Sequence, residues 1–283
     1  MKNIKLVASD VDGTLINNEY KVTPYTKEVV SKLKDKGIEF VIATGRAHDS
    51  ALEVANDLDI NKDGYGLICL NGLRTYSLPL DTYEAFPTMT YEECETMEVL
   101  GQKYHMGILY CFDDVIYFQM DEIAYLDYTI GMKADSVRYF NDKSDSEEIK
   151  NLKDIKHRFD KGDPIQKIVY VQSDDFMNLI TPRIKKDLDP NYDALLVGQG
   201  WLELMPKSIT KGSALLKYAE SLGIKPEEIM AFGDAENDIS MLKVVGHGVA
   251  MGNAMPSVKA VAKDITDTNY EDGVAKYIAK HLL

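Results

Sequence analysis

Short apolar runs alternate with amphipathic stretches in the first part of the chain. Strands are predicted at Ile4–Ser9, Ile38–Ala43 and Gly66–Leu70, and apolar residues at helical spacing lie between them. Successive strands joined by helices through short connections are typical of a parallel sheet with helices on both faces.

A different pattern occupies the middle of the chain, from about Phe86 to Asp193. This segment is rich in tyrosine and contains strand-like runs such as Gly107–Phe112 and Ile165–Gln172. Helical stretches flank these runs, around Tyr91–Tyr104 and Phe176–Leu188. The mixture predicts a separate α+β unit.

The first pattern then resumes, with strands predicted at Ile229–Phe232 and Gly248–Met251. We therefore expect an α/β protein with a Rossmann-like parallel-sheet core, formed by residues 1–85 and 194–283. An α+β cap domain, residues 86–193, is expected to be inserted into this core.

Composition excludes several classes of function. The chain has 283 residues with 32 Lys+Arg and 46 Asp+Glu, which gives a net charge of −14. No basic cluster suits a nucleic acid, and no apolar run approaches the roughly 18 residues of a membrane span. Together with the absence of a signal-peptide pattern, this predicts a cytoplasmic protein without nucleic-acid or membrane partners. Nothing in the sequence indicates an obligate protein partner.

Two carboxylates follow the first predicted strand. Asp10 and Asp12 are two positions apart, and in an extended segment such side chains face the same way. Gly13 allows a sharp turn beside a ligand. The Asp12-Gly13 step is also typical of an ordinary turn, but a turn leaves the repulsion between neighbouring carboxylates unexplained unless a cation lies there.

Two further motifs favour an anion. Thr44 and Gly45 follow the second strand, where a hydroxyl, an amide and a helix N-terminus suit an anion, although ordinary N-capping by Thr44 is the alternative. Arg46 is expected in the first helical turn, where a cation opposes the helix dipole unless an anion is bound nearby. Lys211 lies in the first turn of another predicted helix and allows the same argument, with an exposed lysine as the alternative.

The fourth motif follows a later strand. Asp234, Asn237 and Asp238 stand at i, i+3 and i+4, so they share one face of a first helical turn. N-capping accounts for Asp234 alone but not for all three. Oxygen ligands without a nearby His or Cys favour Mg²⁺.

All four motifs lie where a predicted strand ends or a helix begins, which places them on one edge of one sheet. Acids for Mg²⁺, a lysine and several amide or hydroxyl donors are what phosphoryl transfer requires.

These motifs resemble those of the haloacid dehalogenase superfamily, most closely its Cof-type sugar phosphatases. The matching segments are Asp10-x-Asp12-Gly13-Thr14, Thr44-Gly45-Arg46, Lys211-Gly212 and Gly233-Asp234-x-x-Asn237-Asp238, and the similarity extends to Asn71-Gly72. The resemblance implies a Mg²⁺-dependent phosphatase acting on small phosphomonoesters, with sugar phosphates favoured.

The resemblance also implies a role for each residue. Asp10 would be the nucleophile that forms an aspartyl-phosphate, and Asp12 would donate and then accept a proton. Asp10, Asp234, the backbone carbonyl of Asp12 and, through water, Asp238 would hold the metal. Phosphate oxygens would be held by Val11, Thr44, Gly45, Lys211 and Asn237, with Arg46 in the vicinity of the substrate.

Two other functions fit parts of this pattern. A phosphomutase on the same scaffold needs the same acids, so the motifs do not separate it from a phosphatase. A non-enzymatic phospho-accepting signalling module also uses acids, a threonine and a lysine at strand ends. Such modules are single small domains in which an inserted cap has no role.

Overall fold

The computed structural model describes residues 3–62, 64–78, 82–85, 89–112, 114–120, 122, 145–198 and 200–283. The chain divides into two compact units, one of Met1–Phe86 with Ser208–Leu283 and one of Pro87–Lys207. None of the helices in the described ranges has the length and apolarity that crossing a membrane requires.

The strands of the described residues are β1 (Leu6–Ser9), β2 (Glu39–Ala43), β3 (Tyr65–Cys69), β4 (Arg74–Ser77), β5 (Thr82–Ala85), β6 (Gly107–Cys111), β7 (Val115–Gln119), β8 (Asp145–Glu148), β9 (Lys167–Val171), β10 (Tyr192–Gly198), β11 (Trp201–Pro206), β12 (Ile229–Gly233), β13 (His247–Ala250) and β14 (Asp264–Ile265). The helices are α1 (Pro24–Asp35), α2 (His48–Asp57), α3 (Tyr91–Lys103), α4 (Lys156–Lys161), α5 (Asp174–Asp187), α6 (Lys211–Ser221), α7 (Ile239–Val244), α8 (Pro256–Lys259) and α9 (Gly273–Leu282).

The first unit contains an eight-stranded sheet in the order β14-β13-β12-β1-β2-β3-β4-β5. The six strands from β14 to β3 are parallel, and β4 and β5 extend the sheet antiparallel. Strand β1 is central, with β12 on one side and β2 on the other. Because the chain runs outward in both directions from this point, the carboxyl end of β1 is where a ligand is expected to bind.

The local sequence explains these elements. All four residues of β1 and all five of β3 are buried, as the apolar runs predict for strands covered on both faces. Helix α1 begins after Thr23, whose side-chain oxygen accepts a hydrogen bond from the backbone N–H of Thr26. The predicted α/β fold is confirmed.

The second unit is an α+β domain, as predicted. Its six-stranded sheet has the order β10-β11-β9-β6-β7-β8, and its pairings are antiparallel except that between β7 and β8. Side chains from its strands, such as Tyr110 of β6 and Tyr170 of β9, are buried in one apolar cluster with Met97 of α3 and Met177 of α5.

The second unit ends at Lys207, whereas the sequence pattern predicts that the inserted domain ends at residue 193. The difference arises because β10 and β11 pair with each other, and β11 then pairs with β9, for example Leu202 with Tyr170. In sequence, the apolar residues of β10 and β11 resemble a strand of the parallel core. Only the pairing of these strands in the folded protein shows that they belong to the second unit.

Candidate active site

Asp10 lies directly after β1, at the carboxyl end of the sheet. Its backbone N–H donates to the carbonyl of Phe232 at 3.1 Å, which holds it beside β12, and the residue is only 5% exposed. The chain then turns sharply at Gly13, which has a φ of +76°. A Cβ at Gly13 would lie 2.4 Å from Oδ2 of Asp234, so both the backbone conformation and the close approach require glycine.

Lys211 is the first residue of α6, within the first turn as predicted, and it is fully buried. Its Nζ lies 2.7 Å from Oδ1 of Asp10 and 2.7 Å from Oδ1 of Asp238. The alternative of a solvent-exposed lysine is therefore wrong. Two carboxylates offset the unfavourable position of this cation at a helix N-terminus.

Asp238 is also fully buried, and both of its carboxylate oxygens are occupied. Oδ1 accepts from Lys211, and Oδ2 accepts from the backbone N–H groups of Asp234 and Ala235 at 2.9 and 3.0 Å. The side chain turns back onto the start of its own loop and orients the lysine. The structure thus gives Asp238 a supporting position behind the other two acids.

Asp10 and Asp234 each keep one carboxylate oxygen without a hydrogen-bond donor among the described residues. Oδ1 of Asp10 accepts from Lys211, and Oδ1 of Asp234 accepts from the hydroxyl of Thr14 at 2.7 Å. One oxygen each of Asp10, Asp234 and Asp238 lies within 4.8 Å of the others. This set of hard oxygen donors fits a metal ion.

The electrostatics of the cluster also favour a cation. Burial raises the pKa of the Asp10 carboxyl well above its usual range, and although Lys211 lowers it, the charges of Asp238 and Asp234 raise it further. Burial and the nearby Asp238 raise the pKa of Asp234 to about 7. Burial lowers the pKa of Lys211, but Asp10 and Asp238 outweigh it and raise that pKa above its usual range.

A count of charges gives the same result. The site contains two cationic and four acidic side chains, so two negative charges remain when all of them are ionised. The cations are Lys211 and Arg46, and the acids are Asp10, Asp12, Asp234 and Asp238. A divalent cation would neutralise that excess and lower the raised carboxyl pKa values.

Asp12 departs from the sequence prediction that its carboxylate converges with that of Asp10. Its two oxygens instead accept from Arg46, Oδ1 from Nη2 at 2.6 Å and Oδ2 from Nε at 2.8 Å. Helix α2 begins only at His48, so Arg46 precedes the helix and does not lie in its first turn. The anion expected beside Arg46 is the Asp12 carboxylate, which a two-point contact with a guanidinium stabilises strongly.

Thr44 and Gly45 follow β2 at the level of the Asp10 loop, because Ser9 of β1 pairs with Ile42 of β2. Ala47 rather than Thr44 precedes α2, so the alternative of ordinary N-capping by Thr44 is wrong. The Thr44 hydroxyl oxygen accepts from the N–H of Arg46 at 3.1 Å, and this leaves its own O–H to donate elsewhere. Val11 follows Asp10 at the start of the turn after β1, and it is buried.

Asn71 also belongs to the site, although the sequence alone predicted no role for it beyond the resemblance of Asn71-Gly72 to the family. Its side chain accepts from Nδ2 of Asn237 at 2.9 Å, and it is 1% exposed with a φ of +55°. Oδ1 of Asn237 is buried and has no hydrogen-bond partner among the described residues. A Cβ at Gly45 would lie 3.3 Å from Oδ1 of Asn71, so the asparagine pair adjoins the expected phosphate site.

Comparison with known proteins agrees with this geometry. A family model for haloacid dehalogenase-like hydrolases matches residues 7–278. The chain is 30% identical over 281 residues to the 5-amino-6-(5-phospho-D-ribitylamino)uracil phosphatase YcsE of Bacillus subtilis, covering 99% of this chain and 97% of the relative. It is 29% identical over 308 residues to the phosphatase YwpJ of Bacillus subtilis, covering 99% and 100%.

Among solved structures, a haloacid dehalogenase-like hydrolase from Bacillus subtilis superposes with a TM-score of 0.80 at 26% identity, covering 99% of this chain and 100% of the other. The chain therefore belongs to the haloacid dehalogenase-like hydrolases, among the Cof-type phosphatases that its four motifs resemble.

Proposed function

We propose that this chain is a Mg²⁺-dependent phosphatase that hydrolyses small phosphorylated metabolites, sugar phosphates above all, through an aspartyl-phosphate on Asp10. The observation that carries the proposal is the contact of Lys211 with both Asp10 and Asp238 beside the open oxygens of Asp10 and Asp234. A buried nucleophile, a fixed positive charge and a place for a cation thus meet at one strand end.

Asp10, Asp234 and the backbone carbonyl of Asp12 would hold Mg²⁺, with Asp238 supporting them. When bound, the ion would neutralise charge on the transferring phosphoryl group and on the acids around it. Hydroxyl and amide donors from Thr44, Gly45 and Val11, together with Asn237 and Lys211, would position the phosphate.

In the first step a carboxylate oxygen of Asp10 attacks phosphorus. The bond from phosphorus to the ester oxygen breaks, and its electron pair stays on the departing oxygen, which takes a proton from the carboxyl group of Asp12. Lys211 keeps the Asp10 side chain oriented for this attack by its contact with Oδ1.

In the second step water attacks the phosphorus of the aspartyl-phosphate and gives its proton to the Asp12 carboxylate. The bond between phosphorus and the Asp10 oxygen breaks, and inorganic phosphate leaves with Asp10 regenerated. Asp12 therefore serves as acid and then as base, and its side chain must reach both the leaving oxygen and the water.

The relatives support a small substrate. One relative is named as the phosphatase of a phosphorylated ribitylamino compound. We propose the general class of phosphorylated sugars and sugar alcohols as substrates of this chain. We expect the activity in the cytoplasm.

The test is a panel of phosphomonoesters incubated with purified protein and Mg²⁺, with release of inorganic phosphate as the readout. The panel includes hexose and pentose phosphates, 5-amino-6-(5-phospho-D-ribitylamino)uracil, nucleotides, flavin mononucleotide and pyridoxal phosphate. Asp10→Asn should release no phosphate, and the matched variant Asp59→Asn, at an exposed carboxylate, should match the wild type. Chelation should stop the reaction reversibly, and indifference to chelation would contradict the metal assignment.

Two further results would replace the proposal with another function. Isomerisation of a sugar phosphate that depends on a bisphosphate primer, without net phosphate release, would establish a phosphomutase. A phosphorylated protein that persists for many minutes under native conditions would establish a phospho-accepting switch.

A further inference from the structure

Arg46 is held in place by its backbone on both sides. Its N–H donates to Oγ1 of Thr44 at 3.1 Å, and its carbonyl accepts from the N–H of Leu70 at 3.0 Å. The residue thus sits in a short connection fixed to the ends of β2 and β3. A side chain that begins from a fixed backbone loses less conformational freedom when it forms a directed contact.

The Arg46 side chain forms a two-point contact with Asp12. Nε and Nη2 donate separately to the two carboxylate oxygens at 2.8 and 2.6 Å, and Nη1 donates to Oγ of Ser50 at 3.3 Å. The planar fork of a guanidinium fixes the orientation of a carboxylate, whereas a lysine ammonium fixes only a distance. The contact therefore specifies how the Asp12 carboxyl plane is turned.

Among the described residues, Asp12 has no other side-chain hydrogen-bond partner. Lys211, the other cation of the site, contacts Asp10 and Asp238 instead. The backbone turn at Gly13 positions the Asp12 backbone but not its χ angles. The direction of the Asp12 carboxylate is therefore set by Arg46.

We propose that Arg46 is a positioning residue for the proton transfers of Asp12 and not a ligand of the substrate phosphate. This inference rests on the proposed function, because it takes Asp12 as the group that protonates the leaving oxygen. Arg46 holds the Asp12 carboxyl in one orientation, and without this contact Asp12 samples other rotamers and transfers its proton less efficiently. The loss falls on substrates whose leaving group needs a proton.

The test compares phosphate esters that share the phosphoryl group and differ in leaving-group basicity. The substrates are 4-nitrophenyl phosphate, phenyl phosphate and an alkyl phosphate cleaved by the wild type, with kcat/KM as the measure of phosphoryl transfer to Asp10. For Arg46→Ala we expect kcat/KM to fall about 100-fold or more with the alkyl ester and less than about 10-fold with 4-nitrophenyl phosphate. Arg46→Lys should regain only part of the alkyl activity.

Four further variants make the test specific. Asp12→Asn should show the same steep dependence on the leaving group, and Asp12→Asn with Arg46→Ala should be no worse than Asp12→Asn alone. Ser50→Ala removes the hydrogen bond to Nη1 of Arg46 but keeps the two-point contact between Arg46 and Asp12, and it should match the wild type. Arg46→Gln keeps the length of the side chain and replaces Arg46→Ala if the latter does not fold.

An equal loss with every leaving group would overturn the inference, since it would make Arg46 a phosphate ligand. Additive losses in the double variant would overturn it as well. Failure of the proposed function gives a different result, in which the wild type releases no phosphate or Asp10→Asn keeps its activity.

Discussion

The hydroxyl of Thr14 donates a 2.7 Å hydrogen bond to Oδ1 of Asp234, which lies 220 positions later in the chain. Thr14 is 1% exposed, so the bond is shielded from water. It joins the loop after β1 to the loop after β12 and holds one oxygen of the Asp234 carboxylate in place. A side chain of the same shape but without the hydroxyl should therefore leave the fold intact and hold the Asp234 carboxylate less firmly.

Thr14→Val tests this relationship, because valine has nearly the shape of threonine but no donor. We expect the Mg²⁺ concentration for half-maximal activity to rise about 10- to 100-fold, since partners that orient a metal ligand commonly have effects of that size. A Mg²⁺ titration of phosphatase activity measures the change. Thr14→Ser keeps the hydroxyl and should stay close to the wild type, and an unchanged Mg²⁺ requirement in Thr14→Val would show that the bond does not orient Asp234.

Lys211→Met should strongly destabilise the protein. It leaves Asp10 and Asp238 buried beside each other without their shared cation, and loss of one partner of a buried ion pair costs about 3–5 kcal/mol. Urea denaturation measures the free energy of unfolding. Lys27→Met removes one partner of an exposed pair with Asp57, and we expect that change to cost about 1 kcal/mol or less.

A second substitution tests the cause of this destabilisation. Asp238→Asn in the Lys211→Met background removes one of the two unpaired charges and should recover part of the lost stability. Strictly additive losses in the double variant would mean that packing around the lysine stem, and not the charge, accounts for the effect.

The sequence was sufficient to predict where the acids and the lysine lie. Apolar runs end at Asp10 and before Asp234, and a helix begins at Lys211, and these are properties of neighbouring residues. In a parallel sheet such strand ends meet on one edge whatever the rest of the chain does. The position of the site thus followed from local patterns.

The pairing of side chains did not follow from such patterns. Arg46 contacts Asp12 across 34 residues, and Asn71 contacts Asn237 across 166 residues. Each partner also satisfies a local rule on its own, Asn71 as a turn residue and Arg46 as a residue near a helix start. Which long-range partner is chosen depends on tertiary distances that periodicity does not encode.

Gly13→Ala should remove activity with little loss of stability beyond backbone strain. The new Cβ would lie 2.4 Å from Oδ2 of Asp234, so that carboxylate must move. Gly37→Ala is a matched control, because Gly37 also has a positive φ, +67°, but nothing lies within 4 Å of a Cβ there. Both variants should lose about 1–2 kcal/mol of stability from the left-handed backbone.

Only Gly13→Ala should lose phosphatase activity, measured at saturating Mg²⁺, because only there does the methyl group displace a proposed metal ligand. Equal activity losses in the two variants would point to backbone strain as the cause. Full activity in Gly13→Ala would show that the position of Asp234 is not needed for the reaction.

The raised pKa of Asp234 predicts how stability depends on pH in the metal-free protein. Burial, and then repulsion by Asp238, raise this pKa from an ordinary value of 3.8 to about 7. The folded state therefore binds more protons than the unfolded state between these two values, and stability falls as the pH rises through that window. With EDTA present, thermal unfolding should occur at lower temperature at pH 8 than at pH 5.

Asp234→Asn should remove part of this decrease in stability with pH, so the stability of the variant relative to the wild type should rise with pH. Asp59→Asn, at an exposed carboxylate, should leave the pH dependence of stability unchanged. Mg²⁺ should oppose the effect by binding the ionised form, and at about 100 times its dissociation constant it stabilises the folded state by about 2.7 kcal/mol. Its stabilisation should therefore be larger at pH 8 than at pH 5. An Asp234→Asn slope equal to that of the wild type would mean that other buried acids, and not Asp234, carry the repulsion that the metal relieves.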